Sequence, residues 1–598
     1  MQTQKYSVNQ HPIETLLSWV KSGEIAIPEI QRPFVWKPSK VRDLMDSLYK
    51  GYPIGYIIAW RNPNVKLKDG SLSEGKKILI DGQQRITALR AAVLDEYIID
   101  KNYKRRKIKI AFNPIEERFE VQNPAIRKDK TWIPDISKVF DGSIDQYDLV
   151  INYMSKNPDI DSKKIKDAIS GLIKMPLRQI GMIELASDLD IEVVTEIFIR
   201  INSQGVVLSQ ADFAMSKIAA NETYGGQELR KAIDYFCHLA VAPEFYQTIY
   251  DNDEAFRGTD YFRAMAWLKN ENDDLYDPTY TDMLRVSFGT EFKRGKLSDL
   301  VSLLSGRNFE TRKFEDSITE ASFELMKVGV MKFMNETNFK RFVMIIKSAG
   351  FIKSWLIRSK NAINFAYLLY LSLKDRKENP AKIESYVRRW FVLSLLTGRS
   401  TGSFESQFDY DIKKLGEEDF ETYLAQEEAA QLGDGFWNVE LPQKLNTSVA
   451  SSPFWAIFLA SQIKNSDKGF LSKDITIDAL IEHRGDIHHI FPKDYLKSHG
   501  LTRGKYNQIA NYVYMQSEIN IKVGKKPPKK YMNEVVNQIE KGDFLYGAIN
   551  TKNGLKENLR MNCIPESILE LSIDDYEDFL EIRRGLMVQK IKDYYYSL

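Results

Sequence analysis

The sequence has few cysteines and histidines and no long apolar run. Its 598 residues include two cysteines, Cys237 and Cys563, which argues against a disulfide scaffold or cysteine-ligated zinc and fits a reducing compartment. The longest apolar stretches, such as Phe365–Leu373, fall far short of the roughly 18 residues that span a bilayer. Charges interrupt residues 1–30, so we expect no signal peptide. These absences predict a soluble, cytoplasmic protein that has no membrane partner.

The sequence also lacks an excess of charge of either sign. It has 84 Lys and Arg against 82 Asp and Glu, so binding to a polyanion has to depend on local basic patches. The chain is too long for one hydrophobic core. Changes in residue pattern along the chain predict three domains. Residues 1–225 mix strands and helices, residues 226–430 are helical, and residues 431–598 contain the histidine cluster.

Hydrophobic periodicity predicts the elements of the first two regions. We expect an amphipathic helix with Ser39 as N-cap, ending before Gly51, with its apolar face at Val41, Leu44, Met45 and Leu48. The other predicted elements are strands over 55–60 and 77–80, a helix over 86–93, a hairpin of 107–112 with 118–121, and helices over 339–356 and 362–374. The polar segment 397–403 is interpreted as a flexible connection.

Four of the six histidines lie between residues 483 and 499. We interpret His483 and His499 as surface or cap residues. The adjacent pair His488 and His489 lies in a short predicted strand that Pro492 ends. Because neighbouring side chains of a strand point to opposite faces, this pair needs a bend or bulge to converge on one site.

A second predicted strand, Asn511–Met515, follows the histidine pair, and Asn520 comes nine residues after Asn511. Together with Asp486-Ile-His-His-Ile-Phe-Pro492, this pattern resembles the HNH, or ββα-metal, nuclease family. The resemblance implies that His489 is the general base for phosphodiester hydrolysis in DNA. It implies metal-ligand roles for His488 and Asn520. It also implies that Asn511 orients the base or holds the loop, and that Asp486 supports a ligating imidazole.

The resemblance implies a divalent metal, with Mg or Mn expected first. Many family members carry a carboxylate where His488 stands, and an imidazole suits Mn, Co, Ni or Zn at least as well as Mg. Five lysines follow the second asparagine, and we expect them to contact DNA phosphates, although a solvated face is the alternative. They are Lys522, Lys525, Lys526, Lys529 and Lys530. The helical segment 574–595 is interpreted as structural.

A strand, a glycine turn and a helix start come together at Asp81-Gly-Gln-Gln-Arg85. Such a turn presents free backbone N–H groups to an anion, and the guanidinium suits phosphate. With the segments Ile27–Trp36 and Phe198–Gly205, it closely resembles the DGQQR domain family, related to the ParB and sulfiredoxin fold, over residues 8–225. The resemblance implies binding and hydrolysis of a nucleotide, GTP or ATP. The implied contacts are Asp81, Gly82, Gln83, Gln84, Arg85, Gln31 and Arg32, with Asp81 as a possible metal ligand.

Three features of this region have plain structural interpretations. Ser209 and Asp212 have the spacing of a capping box. Trp36 is more typical of a core residue than of a base-stacking one. The basic segment Lys104–Lys109 either touches DNA or forms a solvent-exposed face.

A DGQQR domain joined through helices to an HNH domain resembles the GmrSD-type, type IV modification-dependent restriction endonucleases and the related phosphorothioate-sensing, SspE-like nucleases. We therefore expect an α+β, multidomain protein with a ParB/sulfiredoxin-like α/β domain, a helical middle domain and a ββα-metal domain within helices. The resemblance implies nucleotide-responsive cleavage of modified phage DNA, and one HNH site per chain makes a homodimer possible. Two alternatives stay open: a nucleotide-switched DNA-binding regulator with an inactive HNH remnant, and an RNA-cleaving HNH toxin.

Overall fold

The computed structural model describes the part of the chain that comprises residues 5–26, 34, 36–61, 77–99, 105–142, 145–158, 160–186, 189, 197, 209–221, 223–271, 273–483, 485–542 and 544–598. The fold is α+β and mostly helical. The chain divides into two compact units, Met1–Arg230 and Lys231–Leu598. The predicted boundary near residue 225 lies close to the end of unit 1, whereas the one near residue 430 lies within unit 2.

Unit 1 contains a mixed five-stranded sheet and two small two-stranded ribbons. Its strands are β1 (Tyr6–Pro12), β2 (Ile25–Ala26), β3 (Ile57–Arg61), β4 (Lys77–Asp81), β5 (Ile98–Ile99), β6 (Arg105–Arg106), β7 (Ile110–Asn113), β8 (Arg118–Val121) and β9 (Gln179–Leu185). The sheet order is β1-β9-β3-β4-β2. Strand β3 is parallel to β9 and antiparallel to β4. The predicted hairpin is confirmed as the antiparallel pair β7 and β8.

The helices of unit 1 pack on this sheet and bury the predicted apolar face. They are α1 (Ile13–Ser22), α2 (Pro38–Tyr49), α3 (Gln83–Val93), α4 (Pro124–Lys128), α5 (Ser137–Phe140), α6 (Gln146–Lys156), α7 (Ser162–Ile173) and α8 (Gln210–Ala220), followed by α9 (Gly226–Val241), which continues into unit 2. All four predicted apolar positions of α2 are buried. The predicted N-cap Ser39 is wrong: α2 begins at Pro38, after Lys37, because proline is preorganised for the first helical position.

Unit 2 is built almost entirely of helices. Up to the histidine region they are α10 (Tyr246–Asn252), α11 (Glu254–Arg257), α12 (Asp260–Ala264), α13 (Tyr280–Phe292), α14 (Leu297–Leu304), α15 (Asp316–Met334), α16 (Glu336–Ser348), α17 (Lys360–Asp375), α18 (Pro380–Thr397), α19 (Phe404–Glu417), α20 (Phe420–Gln431), α21 (Leu441–Lys444), α22 (Pro453–Lys464) and α23 (Ile477–His483). The two predicted helices are confirmed as α16 and α17, although α16 ends eight residues before the predicted Leu356.

The connection after α18 is anchored by a buried cation. The Arg399 guanidinium pairs with Asp411 at 2.7 Å and with Glu427 at 2.6 Å, and its side chain is 6% exposed. The sequence predicts a flexible connection here, whereas these ion pairs attach the segment to α19 and α20.

The last part of unit 2 contains a two-stranded antiparallel ribbon followed by a helix. Strand β10 (Asp486–His489) pairs with β11 (Tyr512–Met515), and α26 (Ser517–Val523) follows β11. The remaining helices are α24 (Lys493–Ser498), α25 (Arg503–Tyr506), α27 (Pro528–Lys541), α28 (Lys552–Met561) and α29 (Tyr576–Tyr596). The residues between β10 and β11 are called the strand insert, residues 490–511, below.

Within the described residues, no helix combines the length and the apolar character that a membrane crossing requires. Cys237 and Cys563 are both buried and free, in agreement with the prediction that they form no disulfide.

Candidate functional site

The histidine pair lies on β10 in an uninterrupted antiparallel ladder. His488 is opposite Val513, and His489 is opposite Tyr512. Neighbouring side chains of a regular strand leave it on opposite faces. The bend that we expected to bring the pair together is absent from this ladder, and the chain bends only after the pair, at Ile490.

The imidazole of His489 is fixed by an amide and two aromatic rings. Its Nε2 lies 3.0 Å from Oδ1 of Asn507. The ring of Tyr512 meets it edge-on with 5.2 Å between centroids, and Tyr506 lies at 6.5 Å. With Asn507 Oδ1 as the acceptor, Nε2 carries the proton and Nδ1 keeps the lone pair. Burial lowers the pKa of His489, and the hydrogen bond with Asn507 opposes this shift. The lowered pKa favours the neutral ring.

Asn511 holds the strand insert against β10. Its side chain is fully buried; Oδ1 accepts from Phe491 N at 2.8 Å, and Nδ2 donates to Phe491 O at 3.1 Å and to Tyr506 O at 3.3 Å. The resemblance implied that Asn511 either orients the base or holds the loop, and these contacts match the second role.

The two predicted metal ligands lie on adjacent elements. His488 is half-buried on β10, and Asn520 is half-buried on α26. The side chain of Asp486 lies outside the described residues, although its backbone pairs with Met515. The described part of the chain contains no cluster of three His, Cys, Asp or Glu side chains suited to a metal. The predicted set is therefore an imidazole nitrogen and an amide oxygen, which both suit first-row divalent metals.

Arg583 is a buried residue of this site that sequence reasoning missed. It projects from α29, where Nη1 donates to Ala510 O at 2.8 Å and Nη2 donates to Tyr512 O at 2.8 Å and to Asn562 O at 3.1 Å. Burial lowers the pKa of its guanidinium to about 10. Its signal was present, since it falls in helical register with the buried Phe579 and Met587.

Asn507 was missed as well, and no pattern in the sequence marked it. A second support comes from α27, where the hydroxyl of Tyr531 donates to Ile490 O at 2.9 Å. Hydrogen bonds from three buried side chains thus fix the backbone that follows His489 and the strand opposite it: those of Arg583, Asn511 and Tyr531.

The predicted lysine run has mixed surroundings. Lys526 bonds to Glu534 at 2.7 Å and to the hydroxyl of Tyr546, and Lys529 pairs with Glu570 at 3.0 Å. The other three predicted DNA contacts are exposed: Lys522, Lys525 and Lys530.

The remaining histidines of the cluster are a surface residue and a cap, as interpreted. His483 has an 80% exposed side chain. His499 is the C-cap of α24, and its Nδ1 lies 2.8 Å from Tyr495 O.

In unit 1, the DGQQR turn connects β4 to α3. Gly82 has φ 101°, and a Cβ there would lie 3.1 Å from Cγ1 of Ile57, so this turn requires glycine. Gln83 and Gln84 follow it, half-buried, at the start of α3.

Arg85 ties this turn to the glycine-rich segment 51–55. Its Nη1 donates to Tyr56 O at 2.6 Å and to Ile54 O at 3.3 Å, and its Nη2 donates to Asp81 Oδ2 at 2.8 Å. A Cβ at Gly55 would lie 2.7 Å from the same Nη1. Arg85 and Asp81 therefore neutralise each other, and a phosphate or a metal would compete with their ion pair.

Other predictions for unit 1 have varied outcomes. Gln31, Arg32 and the segment 198–208 lie outside the described residues. Ser209 and Asp212 form the predicted capping box. Trp36 packs, half-buried, against the hydrophobic core, as interpreted.

The basic segment Lys104–Lys109 is largely neutralised by carboxylates where it is described. Lys107 pairs with Asp95 at 2.6 Å, and Lys109 pairs with Asp95 and with Asp135. These ion pairs favour the structural interpretation of the segment over a DNA contact.

Comparison with known proteins identifies the class of the first domain. Residues 13–219 match the family described as "GmrSD restriction endonuclease, N-terminal domain". The match supports the predicted resemblance to a GmrSD-type restriction endonuclease. The ParB/sulfiredoxin-like fold, the HNH domain and the relation to SspE-like nucleases stay predictions.

The chain also has a relative along nearly its whole length. It is 21% identical to Uncharacterized protein MJ0686 of Methanocaldococcus jannaschii over 652 aligned residues, which cover 97% of this chain and 98% of the relative. The similarity therefore extends through the histidine region as well as through the N-terminal domain.

Proposed function

We propose that this protein is a metal-dependent DNA endonuclease of anti-phage defence, with an HNH-type site formed by β10, β11 and α26. The match to a restriction endonuclease domain supports DNA as the substrate and defence as the role. Modified phage DNA is the proposed target, because the sequence resembles modification-dependent enzymes.

The observation that carries the proposal is the setting of His489. A neutral imidazole with Nε2 fixed by Asn507 offers its Nδ1 lone pair to a water molecule. As that water attacks phosphorus, its proton passes to Nδ1, a new P–O bond forms, and the bond to the leaving ester oxygen breaks. The leaving oxygen takes a proton from solvent or from the imidazolium, which completes the hydrolysis.

The donor types present fit a divalent metal held by His488 and Asn520. When bound, such an ion neutralises charge that develops on the phosphate and on the leaving oxygen. The imidazole of His488 favours Mn, Co, Ni or Zn alongside Mg.

For unit 1 we propose that the DGQQR turn binds and hydrolyses a nucleoside triphosphate, GTP or ATP. The turn leads into the N-terminus of α3, an arrangement of backbone N–H groups suited to anions. We propose that the nucleotide state of this domain governs cleavage, and that two chains act together when both DNA strands are cut.

The test is a cleavage assay with the purified chain and plasmid in Mg or Mn, with and without nucleotide. Substrates are plain, methylated, glucosylated and phosphorothioated DNA. The wild type should cut at least one of them, and a chelator should abolish cutting. His489→Ala should lower the rate by roughly 100-fold or more, whereas His483→Ala, at an exposed histidine of the same cluster, should not.

Two outcomes would contradict the proposal. If no substrate is cut with any metal, the nucleotide-switched regulator becomes the better interpretation. If RNA is cut and DNA is not, an RNA-cleaving toxin becomes the better interpretation.

A further inference from the structure

The strand insert carries a group of exposed cations next to His489. Four basic side chains stand on it, all exposed to solvent: Lys493, Lys497, Arg503 and Lys505. Between Ile490 and Asn511 the only carboxylate is that of Asp494. The four cations are called the basic insert here.

Two of these cations lie over the ring of Tyr506, which is itself a neighbour of the His489 imidazole. The ammonium groups of Lys493 and Lys497 lie 5.8 and 5.7 Å from the ring centroid of Tyr506. That centroid lies 6.5 Å from the centroid of His489.

A third cation stands near the other aromatic neighbour of His489. The Arg503 guanidinium acts on the phenol of Tyr512, where it opposes the rise in pKa that burial causes. The ring of Tyr512 lies 5.2 Å from His489. Both aromatic contacts of the imidazole therefore have basic side chains beside them.

The cations of the basic insert are neutralised weakly or not at all by described residues. Lys493 and Arg503 make no ion pair with any described residue. Lys497 and Lys505 have only exposed carboxylate partners, Asp494 at 3.7 Å and Glu577 at 3.2 Å, and exposed pairs of this kind are weak. In the lysine run, Lys526 is held by a half-buried carboxylate and a tyrosine hydroxyl, and Lys529 has an exposed carboxylate partner. The other three lysines of that run make no ion pair with a described residue, so what distinguishes the basic insert is its position beside His489.

We propose that the basic insert, rather than the lysine run, is the main surface by which this protein grips the phosphates of duplex DNA that flank the bond to be cut. The inference rests on the proposed function. A general base works only within hydrogen-bond reach of the attacking water, so the scissile phosphate has to lie beside His489. Neighbouring phosphates follow every ~3.4 Å of rise along a strand, and this spacing brings them to the cations around Tyr506 and Tyr512.

The test measures binding separately from cleavage. Fluorescence anisotropy of labelled duplexes, one plain and one glucosylated, is followed in a chelator over a range of salt concentrations. The variant is the double substitution Lys493→Gln with Lys497→Gln. The matched control is Lys552→Gln with Lys556→Gln, an exposed lysine pair with the same spacing on α28.

The Lys493/Lys497 variant should lose affinity roughly tenfold or more at about 0.1 M salt, and the slope of log K against log salt should fall by about 2, one per lost phosphate contact. The control should bind as the wild type does. Thermal melting should be unchanged in both, because the four lysines are exposed.

Unchanged affinity and slope in the Lys493/Lys497 variant, with a wild type that binds and cuts, would overturn this inference alone. The inference is also overturned if only Lys525→Gln with Lys530→Gln weakens binding, since that assigns the contact to the lysine run. A wild type that neither binds nor cuts DNA would overturn the proposed function together with the inference.

Discussion

One amide oxygen, Oδ1 of Asn507, lies against Nε2 of His489 and favours the tautomer that is protonated there. Asn507 contacts Nε2 from the strand insert, 18 residues further along the chain. Without that acceptor, both tautomers and both ring orientations become accessible, and only some of them present a lone pair to the water molecule of the proposed reaction. Residues that orient a functional imidazole in this way are worth about 10- to 100-fold in activity.

We predict that Asn507→Leu lowers kcat for DNA cleavage by about 10- to 100-fold while DNA affinity stays within about twofold. Asn507→Asp keeps an acceptor oxygen in place and should restore most of the activity. Single-turnover cleavage and anisotropy binding measure the two quantities. Equal losses of binding and cutting in Asn507→Leu, or an Asn507→Asp variant that is just as inactive, would show that Asn507 serves only the fold.

Among single residues, those that belong to a short motif could be predicted from the sequence. The histidine pair and its strand were recognised from seven consecutive residues, and the structure places them on β10. Asn507 could not be recognised, because an asparagine in an irregular loop carries no periodic signal, and its meeting with His489 depends on the tertiary fold. The roles of His488, His489 and Asn520 in catalysis stay predictions.

Among the elements, α29 supports the ribbon through a buried side chain. Its Arg583 supplies three hydrogen bonds to backbone carbonyls of Ala510, Tyr512 and Asn562. Each carbonyl is buried and would lose its donor if the guanidinium were removed. A buried polar group left without its partner costs about 1–3 kcal/mol.

We predict that Arg583→Met lowers the free energy of unfolding by at least about 2–3 kcal/mol, because its apolar side chain fills the space but satisfies none of the three carbonyls. Arg583→Lys, with one ammonium, should recover part of the loss. Urea unfolding monitored by tryptophan fluorescence measures this. As a control, Arg584→Met changes the half-buried neighbour on the same helix, which makes no side-chain hydrogen bond or ion pair with a described residue, and should leave stability nearly unchanged. An Arg583→Met variant as stable as the wild type would contradict the role given to this residue.

Local periodicity predicted elements well where one face is buried. The apolar face of α2 and the whole of α17 follow from spacing alone, and the structure confirms both. The start of α2 was predicted two residues late, because a proline was taken to precede the helix rather than to begin it. The sheet order β1-β9-β3-β4-β2 was out of reach, since it pairs strands separated by more than a hundred residues.

At the scale of the whole molecule, helices from two predicted domains share one core. In unit 2, the hydroxyl of Tyr594 donates to Ala349 O, and that of Tyr595 donates to Glu428 at 2.6 Å. Both tyrosines belong to α29, and both acceptors belong to residues 226–430, which the sequence pattern predicted to be a separate helical domain. Composition changes along a chain do not show which helices pack together, so the boundary near residue 430 was not recoverable from sequence.

The nucleotide prediction concerns unit 1. We predict that Arg85→Ala abolishes phosphate release from GTP and ATP. Because Arg85 also holds Ile54 and Tyr56 by their carbonyls, a lost activity in that variant has two explanations. Gln83→Ala separates them, since the Gln83 side chain makes no hydrogen bond among the described residues; it should lose most of the turnover while melting as the wild type does.

Phosphate release is measured with each nucleotide, and circular dichroism verifies the fold. Unchanged release in Arg85→Ala would mean that the DGQQR turn does not have the role proposed for it. Unchanged release in Gln83→Ala alone would restrict that role to the ion pair of Arg85 and Asp81.

The position of Arg583 in the chain has a consequence for the order of synthesis. A ribosome completes the N-terminal domain first, then β10 and β11, and only later the helix that carries this guanidinium. Domains generally fold in the order in which they emerge. A nascent chain that already displays both histidines still lacks the donors that hold Tyr512 in place. The proposed nuclease site therefore matures after the domain that is proposed to govern it.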